Sequence, residues 1–139
     1  MEELYKLSAD LNIRHSVDFL GSVDQSKLPS FYNAADVTVV PSYYESFSLV
    51  ALESLACGTP VITTNVGDLM NIIQGPETGY VVKDNSPEEL ASAISRLLSQ
   101  KIGKNIDAIQ IRNLAASYGW STITDKLLQE YTEVLKKNS

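Results

Sequence analysis

The chain has 139 residues, 44% hydrophobic and 20% charged, which is the composition of one folded domain with a real core and excludes a disordered or low-complexity segment. Its formal net charge of −6 repels phosphate backbones and anionic lipid, so neither nucleic acid nor direct membrane contact is expected. The single Cys57 excludes an internal disulfide, no apolar run is long enough to span a bilayer, and the charged start Met1–Lys6 does not read as a signal peptide; together these point to the cytoplasm.

The N-terminal residues place Leu4, Leu7 and Leu11 at helical spacing, with Tyr5 beside them. Val17–Leu20 reads as a strand ended by Gly21. Asp24 or Ser26 can cap a helix over about 26–34 that turns Leu28, Phe31 and Tyr32 inward. Val37–Val40 is a β-branched run closed by Pro41, as expected of a strand covered on both faces. A helix over about 46–57 ends at Gly58, and Pro60–Thr64 is a second buried-type strand. After the turn Asn65–Asp68 comes a short helical segment near Leu69–Ile73, the loop Gly75–Gly79 and a strand at Tyr80–Val82. Ser86, Pro87 and Glu89 form a strong helix start, and that helix carries Leu90, Ile94, Leu97 and Leu98. A further helix lies within 101–119 and holds Ile106, Ile109 and Leu114. Ser121 can cap a last helix over 121–136 whose apolar positions are Ile123, Leu127, Tyr131 and Leu135, with Trp120 just before it.

This alternation predicts an α/β fold: a Rossmann-like parallel sheet with helices on both faces. Ligands bind such sheets beyond the carboxyl ends of the strands, so the informative loops are Gly21–Gln25, Pro41–Ser48, Asn65–Asp68 and Lys83–Asn85. In the second of these, Glu45 sits at a strand-to-helix junction and Glu53 two helical turns later, so both carboxylates can face one cleft. Between them the N–H groups of Ser46, Phe47, Ser48 and Leu49 make a helix N-terminus suited to phosphate. Carboxylates beside a phosphate site suit the hydroxyls of ribose or a hexose. From spacing alone, a helix-start charge at Glu45 and a solvated Glu53 remain the competing description. The only histidine, His15, reads as a surface residue, and Cys57 as a small packed side chain at a helix end. Tyr43 and Tyr44 are candidates to flank a sugar or base, with partial burial at the rim as the alternative.

The segment from Glu45 to Glu53, followed by Ala56-Cys-Gly-Thr-Pro-Val61, resembles the Glu-x7-Glu hallmark of retaining GT-B-fold glycosyltransferases of family 4, the "glycosyl transferases group 1" domain. Val17–Gly21, Leu28, Tyr32, Ala35-Asp36 and Pro41-Ser42 match the pattern upstream; Val66-Gly67, Thr78–Val82, Pro87, Leu90 and Trp120 match it downstream. The resemblance covers nearly all of the chain and implies a single, partial C-terminal donor-binding domain over 1–139. It implies transfer of a hexose from a nucleotide diphosphate sugar to an acceptor hydroxyl with retention, without a metal or other cofactor. Carried over by position, Glu53 matches the ribose ligand and Glu45 the carboxylate near the donor sugar. The amides of Phe47, Ser48 and Leu49 match the diphosphate contacts, and Val23 the nucleobase region. Two departures stand out. Ser48 replaces the family's usual glycine, and Asp68, Met70 and Asn71 replace its second glycine and its Pro-Glu pair.

The resemblance also implies what is not present: the family's opening strand with its Gly-Arg-Leu motif, its lysine loop and the acceptor-binding N-terminal domain. The chain alone is then expected to be inactive. In the family's strand order the strands here are the third to the sixth, leaving an exposed edge. The expected remedies are direct pairing of Val17–Leu20 with Val37–Val40, a sheet shared with another copy, or a missing half supplied in trans. The alternative function is a non-enzymatic module that oligomerises or binds nucleotide sugars.

Overall fold

The computed structural model describes residues 1–73, 75–101 and 107–137. Its helices are α1 (Glu2–Asp10), α2 (Leu28–Ala34), α3 (Leu49–Ala56), α4 (Leu69–Ile72), α5 (Pro87–Lys101), α6 (Ala108–Ala116) and α7 (Trp120–Lys137). The strands are β1 (Thr38–Val40), β2 (Val61–Thr64) and β3 (Gly79–Val82), and short 3-10 turns occupy Arg14–Ser16 and Gln25–Lys27. The strands form one parallel sheet in the order β1-β2-β3. In its register Val39 lies opposite Ile62, which in turn lies opposite Tyr80.

β2 is the centre of the sheet and every one of its residues is buried. Strand side chains alternate between faces. Val61 therefore joins Val40, Ala51, Leu55, Ile72, Ile111 and Ala115 on one side, beneath α3, α4 and α6. Ile62 joins Val82, Ala93 and Leu97 on the other, beneath α5. The expected α/β architecture with helices on both faces is therefore present. At the start of β3, Gly79 has φ +126°, and a Cβ there would lie 1.7 Å from the Val61 carbonyl oxygen. Only glycine admits that approach of the two backbones.

Val17–Leu20 departs from expectation: it is extended at Val17 (φ −125°, ψ 122°) but belongs to no sheet. Its alternation is satisfied locally instead. The Phe19 ring meets Tyr5 of α1 edge-on, with centroids 4.6 Å apart, and the Arg14 guanidinium lies over both rings. Arg14 also donates to the Val17 carbonyl at 2.8 Å, so a side chain occupies an acceptor that a strand would offer to a ladder. Direct pairing of this segment with β1 does not occur, and among the described residues β1 pairs with β2 alone.

Two helices do not bury the faces their sequences suggest. In α1, Leu4 and Leu7 are exposed, as is Leu11 just after it, and Ser8 is the buried residue. In α7, Ile123 is half-buried while Leu127, Tyr131 and Leu135 are exposed, and Trp120, which begins the helix, is 84% exposed. Phe31, expected inward, is exposed as well; of the apolar residues named on the later helix, Ile109 is exposed, Leu114 packs against the core, and Ile106 lies outside the described residues. Amphipathic spacing makes a helix, but a face is buried only where another element covers it. Among the described residues no helix is long and apolar enough to cross a membrane.

Candidate functional site

The loop joining β1 to α3 leaves the carboxyl end of the sheet, where open α/β folds hold ligands. Its first turn is tied to the strands: Thr64 of β2 donates its hydroxyl to the Ser42 carbonyl. Ser42 in turn donates its hydroxyl to Oε1 of Glu45 at 3.1 Å. Glu45 is thus a half-buried loop residue with a defined partner, while Tyr43 and Tyr44 beside it are 90% and 83% exposed.

α3 begins later than the sequence suggested. Ser48 is its N-cap, extended at φ −85°, ψ 101°, and its Oγ accepts from the Ala51 N–H at 3.4 Å. Ser46 and Phe47 therefore precede the helix, and the helical N–H groups left without an intrahelical acceptor begin at Leu49. The buried Ser48 side chain is engaged in capping, its oxygen accepting from the helix. Because Glu45 lies outside the helix, the eight-residue spacing to Glu53 is not two turns of one face, and the two carboxylates are held by different neighbours.

Glu53 projects from the second turn of α3, and its Oε2 accepts the phenol O–H of Tyr32 of α2 at 3.0 Å. Desolvation, reinforced by the adjoining carboxylate, pushes the Tyr32 phenol up to about 12. α2 is anchored in turn by Thr59, whose hydroxyl donates to the Tyr32 carbonyl at 2.6 Å. α2 packs on α3 and follows directly on the Gln25–Lys27 turn, just before which Val23 is half-buried. Asp24 caps the turn by accepting the Ser26 N–H at 2.9 Å; with the Ser26 hydroxyl as the larger cause, these bonds hold its carboxyl below the ordinary value.

A neighbour that the spacing of the carboxylates did not reveal is Gly67, in the loop after β2. It has φ +57°, and a Cβ there would lie 2.6 Å from the Glu45 carbonyl oxygen and 2.8 Å from that of Ser46. The backbone of one loop thus rests directly on the backbone of the other. On the far side of the same segment, the Phe47 ring lies 6.2 Å from that of Tyr118, beyond α6. The described residues bring together Glu45, Ser46, Phe47 and Ser48 as one braced loop, and attach Glu53 to α2. They contain no group of three or more His, Cys, Asp or Glu placed to hold a metal. His15 is exposed in the Arg14–Ser16 turn, and Cys57 is a partly buried free thiol at the end of α3.

Known proteins give this geometry a context. The profile of the family "Glycosyl transferases group 1" matches residues 1–113. A D-inositol 3-phosphate glycosyltransferase of Thermomonospora curvata is 40% identical over 131 residues, covering 94% of this chain and 30% of that protein. Sucrose-phosphate synthase of Thermosynechococcus elongatus superposes with a TM-score of 0.83 at 35% identity, covering 98% of this chain and 34% of that one. The C-terminal domain of a glycosyl transferase group 1 protein from Francisella tularensis superposes at 0.72 with 30% identity, covering 84% of this chain and 60% of that domain. The chain therefore spans about a third or less of the full-length relatives it matches. It belongs to the glycosyl transferases group 1 family and has the α/β architecture of the C-terminal half of a GT-B glycosyltransferase.

Proposed function

We propose that the chain is the donor-binding part of a glycosyltransferase that moves a hexose from a nucleotide diphosphate sugar to an acceptor hydroxyl with retention of configuration. The observation that carries this reading is Glu53, oriented by Tyr32 on a helix whose N-terminus meets a braced loop bearing Glu45. Glu53 accepts from the ribose hydroxyls. The amides of Ser46, Phe47, Ser48 and Leu49 face the diphosphate, Glu45 faces the donor sugar, and Val23 lies toward the base. The reading asks for no metal. Family membership and the 40% identity to a named glycosyltransferase support it.

On their own these 139 residues are expected to bind a donor without transferring its sugar, since acceptor contacts and the cations that neutralise a departing diphosphate lie outside the braced loop. The reaction is placed in the cytoplasm, and no nucleic acid or membrane takes part in it. The open edge of β1 is completed by further sheet, either from the other half of such an enzyme or from a second copy. Light scattering over a concentration series tests the second copy, and a concentration-independent monomer excludes it.

Isothermal titration with UDP-, GDP- and ADP-glucose tests the site. Heat with one of them that is weakened about tenfold or more by Glu53→Ala is expected, the loss of a hydrogen bond to a charged acceptor. No heat with any of them, or heat indifferent to Glu53→Ala, overturns the reading.

A further inference from the structure

We propose that Tyr32 is a positioning residue for the donor: its phenol O–H, donated to Oε2 of Glu53, fixes that carboxylate so that Oε1 and the remaining lone pair of Oε2 accept the two hydroxyls of a ribose. This rests on the reading of Glu53 as the ribose ligand and goes one residue beyond it.

The geometry is set from several sides. The Tyr32 phenol reaches Glu53 at 3.0 Å across the α2–α3 interface. The Tyr32 carbonyl accepts from the Thr59 hydroxyl at 2.6 Å. The fully buried Ser54, one residue after Glu53, donates its hydroxyl to the Thr59 carbonyl at 3.0 Å and accepts from the Thr38 hydroxyl of β1 at 2.8 Å. The turn of α3 that carries Glu53, the loop after α3, and β1 are thereby locked to the helix that carries Tyr32.

An ionised carboxylate has about four acceptor positions. One is filled by Tyr32, and the rest suit a pair of vicinal hydroxyls. A free glutamate on a helix surface samples several rotamers, and a ligand that needs one of them must restrict it on binding. Tyr32 makes that restriction part of the fold. The phenol stays protonated, and so stays a donor, well above neutral pH, because burial raises its ionisation to about 12. Phenylalanine at this position preserves the ring and its packing and removes only the donor.

The test compares the wild-type chain with Tyr32→Phe and Glu53→Ala. The ligands are whichever of UDP, GDP and ADP binds tightest to the wild type, and the 2′,3′-dideoxy form of the same nucleotide. Tyr32→Phe is expected to raise the Kd of the ribonucleotide about threefold to tenfold, the range of one hydrogen bond. The Kd of the dideoxy form is expected to stay within about twofold. In Glu53→Ala, adding Tyr32→Phe is expected to cost nothing further, because the two act as one unit. Equal weakening of both ligands by Tyr32→Phe marks general damage to the fold and overturns the proposal. So does unchanged ribonucleotide affinity, and in that case a loss in Glu53→Ala leaves the donor reading standing. Absence of nucleotide binding by the wild type, or indifference to Glu53→Ala, overturns the donor reading and the role of Tyr32 with it.

Discussion

Gly67→Ala probes the brace between the two loops that shape the site. The residue sits at φ +57°, in the left-handed region, where a Cβ costs about 1–2 kcal/mol by itself. The new methyl would also lie 2.6 Å from the Glu45 carbonyl oxygen and 2.8 Å from that of Ser46. These are backbone atoms, so no side-chain rotation relieves the overlap, and displacement of a packed segment costs about 1–3 kcal/mol more. The expected destabilisation is about 2–5 kcal/mol. For a chain of this size that lowers the Tm by about 6–15 °C. Thermal unfolding followed by circular dichroism measures it, with the exposed Asn65→Ala as a control expected to stay within about 0.5 kcal/mol. Nucleotide affinity should fall as well, since the displaced segment carries Glu45 and Ser46. A Tm for Gly67→Ala within about 2 °C of wild type would refute the argument that the loops rest backbone to backbone.

Further substitutions separate structural from ligand roles. Ser48→Ala removes the cap of α3 and should cost about 1 kcal/mol, whereas Ser48→Gly should cost only a few tenths; equal denaturant midpoints for the two variants would contradict the capping role. The Tyr32 phenol ionises at a higher pH in the folded state than in the unfolded chain, so its contribution to stability is complete below about pH 10 and is lost as pH rises toward about 12. Urea midpoints at pH 8 and pH 11 should therefore converge between wild type and Tyr32→Phe at the higher pH, and a constant difference would refute the linkage. Leu55→Ala empties a fully buried position between β2 and α6 and should cost about 2–5 kcal/mol. Leu128→Ala, on the exposed flank of α7, should stay within about 0.5 kcal/mol, and a large loss there would show that α7 is covered.

The central architecture was legible because its signals are local. Val37–Val40, Pro60–Thr64 and Tyr80–Val82 are short apolar runs between turn residues, and each coincides with a strand of the sheet to within a residue. Val17–Leu20 carries a comparable pattern but no ladder, because a strand exists only where a neighbour accepts its backbone, and Arg14 and Tyr5 answer the segment instead. α3 begins three residues later than the expected start near 46. Ser46 and Ser48 are both competent caps, and only the folded loop shows Ser48 accepting from Ala51. That shift changes the relation of the carboxylates: Glu53 stays on the helix and Glu45 moves to the loop. The partner of Glu53 was visible as a residue but not as a role. Tyr32 is 21 positions away, and neither helical period nor motif spacing records which hydroxyl meets which carboxylate across two helices. Likewise the leucines of α1 and α7 announce amphipathic helices without saying what lies against them.

The sheet runs β1-β2-β3 in the same order as the chain, and each ladder joins consecutive strands. Closing it never requires a segment to pass beyond its next neighbour, so each closure spans one crossover helix at most. Loop-closure entropy grows slowly with length but is smallest for such short steps. Parallel sheets are ordinarily slow to form because their pairings are distant in sequence. Here each strand pairs with the next one along the chain, so β1 can meet β2 before β3 is available, while the Phe47–Tyr118 contact and the α6 cover over Leu55 are supplied from later in the chain.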